Sequence, residues 1–117
     1  MSLNIQVIGT EKCKDTRKAI RFFKEHGLKI HFVNLLERPL SKGELKNIAA
    51  AAGIDNLIDR EGKAYKKSGL EYMIFDIEEK LLENPLLLRT PLVRNGRKVT
   101  VGYEPDVWKK WIKEAKS

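Results

Sequence analysis

The spacing of three short segments near the N-terminus constrains the fold most. Asn4 to Gly9 is an apolar run of strand length, Thr10 to Lys12 is a polar turn, and Lys14 to His26 places Ala19, Ile20, Phe22 and Phe23 at helical spacing. Gly27 follows in the place of a C-cap, and Leu28 to Asn34 begins by alternating apolar and polar residues, the period of a strand. Strand, helix and strand joined by links this short imply a parallel, right-handed βαβ unit. The fold class is therefore α/β, with a core of two or three layers.

The rest of the chain extends that unit. Pro39 breaks the pattern over Glu37 to Leu40, and Ser41 with Glu44 forms a capping box that opens a helix running to Ala52, closed by Gly53. Asp55 to Gly69 lacks periodicity and contains Asp59-Arg60-Glu61-Gly62, so it reads as a loop with one helical turn around Leu57 and Ile58. Leu70 to Phe75 and Ile77 to Leu82 read as one or two short helices ending before Asn84-Pro85. From Leu86 to Arg94 the chain runs toward Asn95-Gly96, the strongest short hairpin signal, with Lys98 to Val101 as the returning strand. After a turn over Gly102 to Asp106, Val107, Trp108, Trp111, Ile112 and Ala115 give a final helix its apolar stripe. The order is βαβ, a helical insert, then ββα.

A chain of 117 residues that is 42% hydrophobic fits one domain, residues 1–117, with one core. No apolar run reaches membrane-spanning length, and Met1-Ser2-Leu3-Asn4 lacks the basic and apolar regions of a secretion signal, so a soluble, cytoplasmic protein is expected. The single cysteine excludes an internal disulfide, which fits a reducing compartment and makes any redox chemistry depend on an external thiol. A formal charge of +7 favours anionic partners. Nucleic acid is not expected, because no binding motif interleaves basic and aromatic residues, and Lys109, Lys110, Lys113 and Lys116 read as a solvated face opposite Trp108, Trp111 and Ile112.

Cys13 stands where the first strand turns into the first helix. Helix-terminal N–H groups and the helix dipole stabilise a thiolate there. Lys12, Lys14 and Arg17 add positive charge, Asp15 opposes them, and the Thr16 hydroxyl is placed to donate to the sulfur. No histidine lies near in sequence to act as a base, so activation would be electrostatic. The alternatives are a small buried apolar residue, or an idle thiol on a binding module. A phosphatase-like loop is excluded, since the residue six after Cys13 is Ala19 rather than arginine. His26 and His31 read as a helix-end and a strand residue, and no metal is expected. Arg60 either binds an anion or pairs on the surface with Asp59 or Glu61.

The Cys-x-x-Thr-Arg turn at Cys13 to Arg17, the stretch Leu57 to Leu70, and Asn84 to Val93 closing on Val101-Gly102-Tyr103 together resemble the ArsC/Spx family. The resemblance runs from about Ile5 to Trp111, looks closest to uncharacterised monothiol ArsC-like members, and implies a thioredoxin-like fold. In the glutathione- and glutaredoxin-linked arsenate reductases of that family, the cysteine at the place of Cys13 attacks arsenate, and an arginine at the place of Arg60 helps hold the oxyanion. Those enzymes have another arginine directly before the proline, where this chain has Thr90 with Arg89 one position earlier. Their third lies where this chain has Gly102, Tyr103 and Glu104. The Spx-type regulators use a Cys-x-x-Cys switch, and here its second position is Thr16. The resemblance also implies a cis Thr90-Pro91 bond opposite Cys13, with the Thr90 backbone aligning glutathione or a partner peptide.

The expected activity is that of a monothiol oxidoreductase. The Cys13 thiolate would attack an oxyanion, arsenate included, or a disulfide, with the adduct resolved by external glutathione or glutaredoxin and no bound cofactor. Arg60, Arg89, Thr16, Arg17, Thr90 and Pro91 would bind the small anionic or thiol substrate. The alternative is a regulatory module that docks on RNA polymerase, or on another protein, without catalysis.

Overall fold

The computed structural model describes residues 3–116, so Met1, Ser2 and Ser117, including the start of the stretch read for a secretion signal, lie outside the described residues. In chain order the elements are β1 (Ile5–Gly9), α1 (Lys14–Glu25), β2 (Ile30–Asn34), α2 (Lys42–Ala52), α3 (Lys63–Ser68), α4 (Ile77–Glu83), β3 (Leu92–Asn95), β4 (Lys98–Val101) and α5 (Pro105–Lys116). The strands form one sheet in the order β2-β1-β3-β4. β1 runs parallel to β2 and antiparallel to β3, which pairs antiparallel with β4. The expected βαβ, insert, ββα order is the observed one.

Alternation along the strands divides the core into two halves. Ile5 and Val7 of β1 and Val93 of β3 pack with Ala19, Phe22 and Phe23 of α1 and Trp108, Trp111 and Ile112 of α5. Ile8 and Leu92, one residue out of step, pack with Leu45 and Ile48 of α2, Tyr65 of α3 and Leu81 of α4. Side chains of period two alternate across a sheet, so helices cover both faces and the architecture has three layers. Among the described residues no helix is long and apolar enough to cross a membrane.

Four local readings need correction. The segment 55–69 is not simply a loop: its helical turn lies at Ile54–Asn56, Ile58 pairs with Leu88 as an isolated β-bridge, and α3 follows. α3 spans only six residues and buries only Tyr65, too little for a helical period to show, and its one signal is Gly69 at φ +75 closing it. Leu70 to Phe75 is a single 3-10 turn at Leu70–Tyr72 followed by extended Met73, after which Asp76 accepts a hydrogen bond from Glu79 N at 3.0 Å and starts α4. Leu86 and Leu87 belong to a 3-10 turn at Pro85–Leu87, and β3 begins only at Leu92, after Pro91, which has no N–H for a ladder. The hairpin itself is shifted by one residue. Asn95 pairs with Lys98, so Gly96 and Arg97 are the turn residues, and Gly96 alone takes a positive φ, +61, as a Gly-first turn requires.

The capping box is present, with Ser41 Oγ accepting from Glu44 N at 3.2 Å and Glu44 Oε1 accepting from Ser41 N at 3.0 Å. Arg38 also donates to both Glu44 oxygens, at 3.0 and 3.2 Å, and this charge-assisted pair, with the Ser41 N–H, holds the Glu44 carboxyl at about 2. A depressed acid pKa stabilises the fold above the unfolded value of 4.5, and that contribution is lost as pH falls toward about 2. Glu44→Gln is therefore expected to lower stability at pH 7 by about 0.5 kcal/mol, the scale of an exposed pair. Urea unfolding at pH 7 and pH 3 checks this, and the difference from wild type should shrink at the lower pH.

Candidate active site

The turn after β1 delivers the thiol. Cys13 N donates to Thr10 O at 3.2 Å, and Arg17 N donates to Cys13 O at 3.1 Å, which fixes Cys13 as the residue capping α1, with φ −78° and ψ 118°. Its side chain is half-buried. Across from it, Thr90 Oγ1 donates to Cys13 Sγ at 3.1 Å, and the sulfur lies 3.8 Å from the Thr90 carbonyl oxygen. The Thr90–Pro91 bond is cis.

Thr16 completes the immediate surroundings of the sulfur. It is fully buried, and its hydroxyl has no hydrogen-bond partner of good geometry. It can approach the sheet because residue 9 is glycine: a Cβ there would collide with the Thr16 hydroxyl and sit 2.9 Å from its methyl group. Burial pushes the Cys13 thiol up. The Thr16 and Thr90 hydroxyls, with the N–H groups of Thr16 and Asp15, outweigh that and hold it below its ordinary value. Lys12, Lys14 and Arg17 are all exposed, where water screens their charge, and hydrogen bonding is what lowers the thiol.

Arg60 and Arg89 line one concavity. Leu57 to Asp59 and Leu87 to Arg89 run antiparallel, with Arg89 N donating to Leu57 O at 2.7 Å and Asp59 N to Leu87 O at 2.8 Å. This brings Arg60 and Arg89 to one concavity of about 340 Å³, whose lining also includes Asp55, Asp59 and Glu61. Arg60 donates to the Tyr65 hydroxyl at 3.2 Å and lies over the Tyr65 and Phe75 rings, so it does not make the surface ion pair with Asp59 or Glu61. Among the described residues no hydrogen bond or ion pair joins Arg60 or Arg89 to Cys13. Arg89 lines the mixed-charge concavity, and its neighbour Thr90 donates to the thiol.

Cys13, Thr16 and Thr90 thus come together with Pro91 beside them, Arg17 contributes through its backbone, and Arg60 and Arg89 share a concavity whose lining does not include Cys13. The Thr90 hydroxyl is the one feature sequence reasoning overlooked, having assigned only its backbone a role. Around Gly102 to Glu104 the structure places an aromatic anchor: Tyr103 packs edge-on against Trp108, and Lys18 lies over its ring at 5.5 Å. Among the described residues no three His, Cys, Asp or Glu side chains cluster as a metal site would need.

Comparison with known proteins follows the same lines. A family model described as the ArsC family matches residues 8–111. The uncharacterized protein YusI of Bacillus subtilis strain 168 is 32% identical over 102 residues, which is 81% of this chain and 86% of that one. Global transcriptional regulator Spx 2 of Oceanobacillus iheyensis is 31% identical over 109 residues, covering 89% of this chain and 80% of its own. The solved arsenate reductase from Vibrio cholerae superposes with a TM-score of 0.80 over 94% of this chain and 98% of that one. At 18% identity that likeness is one of fold.

Proposed function

The chain belongs to the ArsC family and has its thioredoxin-like fold, and from that premise we propose that it is a monothiol oxidoreductase acting on disulfides through Cys13. The observation that carries this reading is the hydrogen bond from Thr90 Oγ1 to Cys13 Sγ at 3.1 Å, at the start of α1. A donor aimed at the sulfur favours the thiolate, the species that attacks.

The Cys13 thiolate attacks one sulfur of a substrate disulfide. A new S–S bond forms at Cys13, the old one breaks, and its electron pair leaves on the departing sulfur, which takes a proton from water. An external thiolate, from glutathione or a glutaredoxin, then attacks the mixed disulfide and releases Cys13 as thiolate. A second external thiolate displaces the substrate's remaining sulfur from the disulfide so formed, which joins the two external thiols as one disulfide, delivers two electrons to the substrate and leaves the protein unchanged. The Thr16 and Thr90 hydroxyls hold the charge on Sγ before attack and after release.

Disulfides suit the site better than arsenate. A multiply charged oxyanion needs several charge-assisted donors at the reacting sulfur. Arg60 and Arg89 share a concavity with Asp55, Asp59 and Glu61, whose charges offset theirs. The decisive experiment incubates the reduced protein with oxidised glutathione and, separately, measures arsenate-dependent oxidation of NADPH with glutathione, glutaredoxin and glutathione reductase. One glutathione adduct per chain, removed by glutaredoxin, is expected, together with no arsenate-dependent oxidation. Absence of the adduct would overturn the oxidoreductase reading, and arsenate turnover would overturn the preference for disulfides.

A second reading rests on the likeness to Global transcriptional regulator Spx 2. In it the fold is a regulatory module docking on RNA polymerase. Retention of RNA polymerase by both the wild type and Cys13→Ser, without exchange activity in either, would favour that reading.

A further inference from the structure

Between α2 and the β3–β4 hairpin lies a concavity of about 600 Å³, lined by Asn47, Ala50, Ala51, Arg94, Arg97 and Val99. Its charge sets it apart from two other concavities. The concavity at Arg60 and Arg89 carries three carboxylates, and so does the one at Lys42 and Lys46, which includes Asp76, Glu78 and Glu79. The groove beside α2 has two guanidinium groups and no carboxylate in its lining. Neither arginine takes part in the ion pairs of the described residues, and Arg94 Nε is closed off from water without a hydrogen-bond acceptor. A buried N–H left without an acceptor is unfavourable, and a guanidinium pairs readily with an anion.

The local structure builds this groove from short-range features. Arg94 pairs directly with Val99 across the hairpin, so their side chains share one face of the sheet. The tight turn at Gly96 brings Arg97 to the same end. Opposite them α2 presents Ala50 and Ala51, whose single methyl groups leave the space that longer helix-surface residues would fill.

We propose that this groove binds a small organic phosphate with a compact apolar body. Arg94 and Arg97 take the phosphate oxygens through charge-assisted hydrogen bonds, and Ala50, Ala51 and Val99 take the apolar part. The volume lies in the range of small-molecule sites. Cys13 is not in the lining, so this site and the thiol chemistry stand or fall separately.

The test is an amide NMR titration of the full chain with phenyl phosphate, beside a titration with inorganic phosphate. Saturable shifts confined to the α2 face and the β3–β4 hairpin are expected, with tighter binding of phenyl phosphate than of inorganic phosphate. Arg94→Met and Arg97→Met should each weaken binding about tenfold or more. Ala51→Glu, on an exposed helix face where the fold tolerates it, should abolish binding by placing a carboxylate in the groove. Shifts scattered over the basic surface, equal affinity for inorganic phosphate, or undiminished binding by Ala51→Glu would overturn the proposal.

Discussion

Trp108→Ala is expected to lower the unfolding free energy by about 3–5 kcal/mol, the range for truncating a large buried aromatic side chain. Trp108 is completely buried. Its ring centroid lies 5.4 Å from that of Phe22 and 5.1 Å from that of Phe23, and Tyr103 meets it edge-on at 5.5 Å. Its indole N–H donates to Thr100 Oγ1 at 2.8 Å, which ties α5 to β4 inside the core. One side chain thus holds α1, α5 and the edge of the sheet together. Trp108→Phe keeps much of the ring packing but strands the Thr100 hydroxyl, for an expected loss of about 1–3 kcal/mol. Urea unfolding followed by far-UV circular dichroism separates the two variants. A loss below about 1 kcal/mol in Trp108→Ala would mean that α5 is secured by other contacts.

How far the fold could be read in advance depended on how local each cause is. β1, α1 and β2 declare themselves through period, and Gly27, at φ +71, ends α1 as expected. The Ser41–Glu44 cap is a four-residue device and was wholly legible. Asn95-Gly96 correctly announced the hairpin but not its register, because the Gly-first turn places Arg97 rather than Asn95 inside it. α3 was invisible, since six residues with one buried tyrosine carry no helical period. The site divides in the same way. The position of Cys13 at the start of a helix is local and could be read, whereas its bond to Thr90 spans 77 residues of sequence and follows from the antiparallel return of the chain. Only the family resemblance connected the two. Arg60 and Arg89 came from the family resemblance, and what brings them to one concavity is the pairing of Leu57–Asp59 with Leu87–Arg89, a contact between segments far apart in sequence.

Cys13→Ser is expected to reduce exchange with oxidised glutathione to the rate seen without protein, since the chain has no other cysteine and a serine hydroxyl does not ionise at neutral pH. The hydroxyls around the sulfur make a finer test. Thr16→Val and Thr90→Val each remove a donor to the thiolate, so each should move the apparent pKa of Cys13 upward, and the double variant further. Alkylation by a neutral reagent as a function of pH measures this. The wild type should titrate below the reference of about 8.5, and a value at or above it would refute thiolate activation. In the variants, reaction slows at neutral pH and recovers where the thiol is fully ionised. Thr16 carries a second consequence, because while Cys13 is protonated the buried Thr16 hydroxyl has no partner of good geometry, an arrangement that is unfavourable to the fold. Valine has the same shape without that hydroxyl, so Thr16→Val should unfold at equal or higher urea concentration at pH 7 while reacting more slowly. The linkage has a definite sign as well. A lowered thiol pKa stabilises the fold above the unfolded-state pKa, and that contribution fades as pH falls through the folded-state pKa, so the advantage of Thr16→Val should narrow as pH rises. Loss of both stability and reactivity at pH 7 would instead make Thr16 a packing residue, whereas a gain in one with a loss in the other identifies a hydroxyl kept for the thiolate.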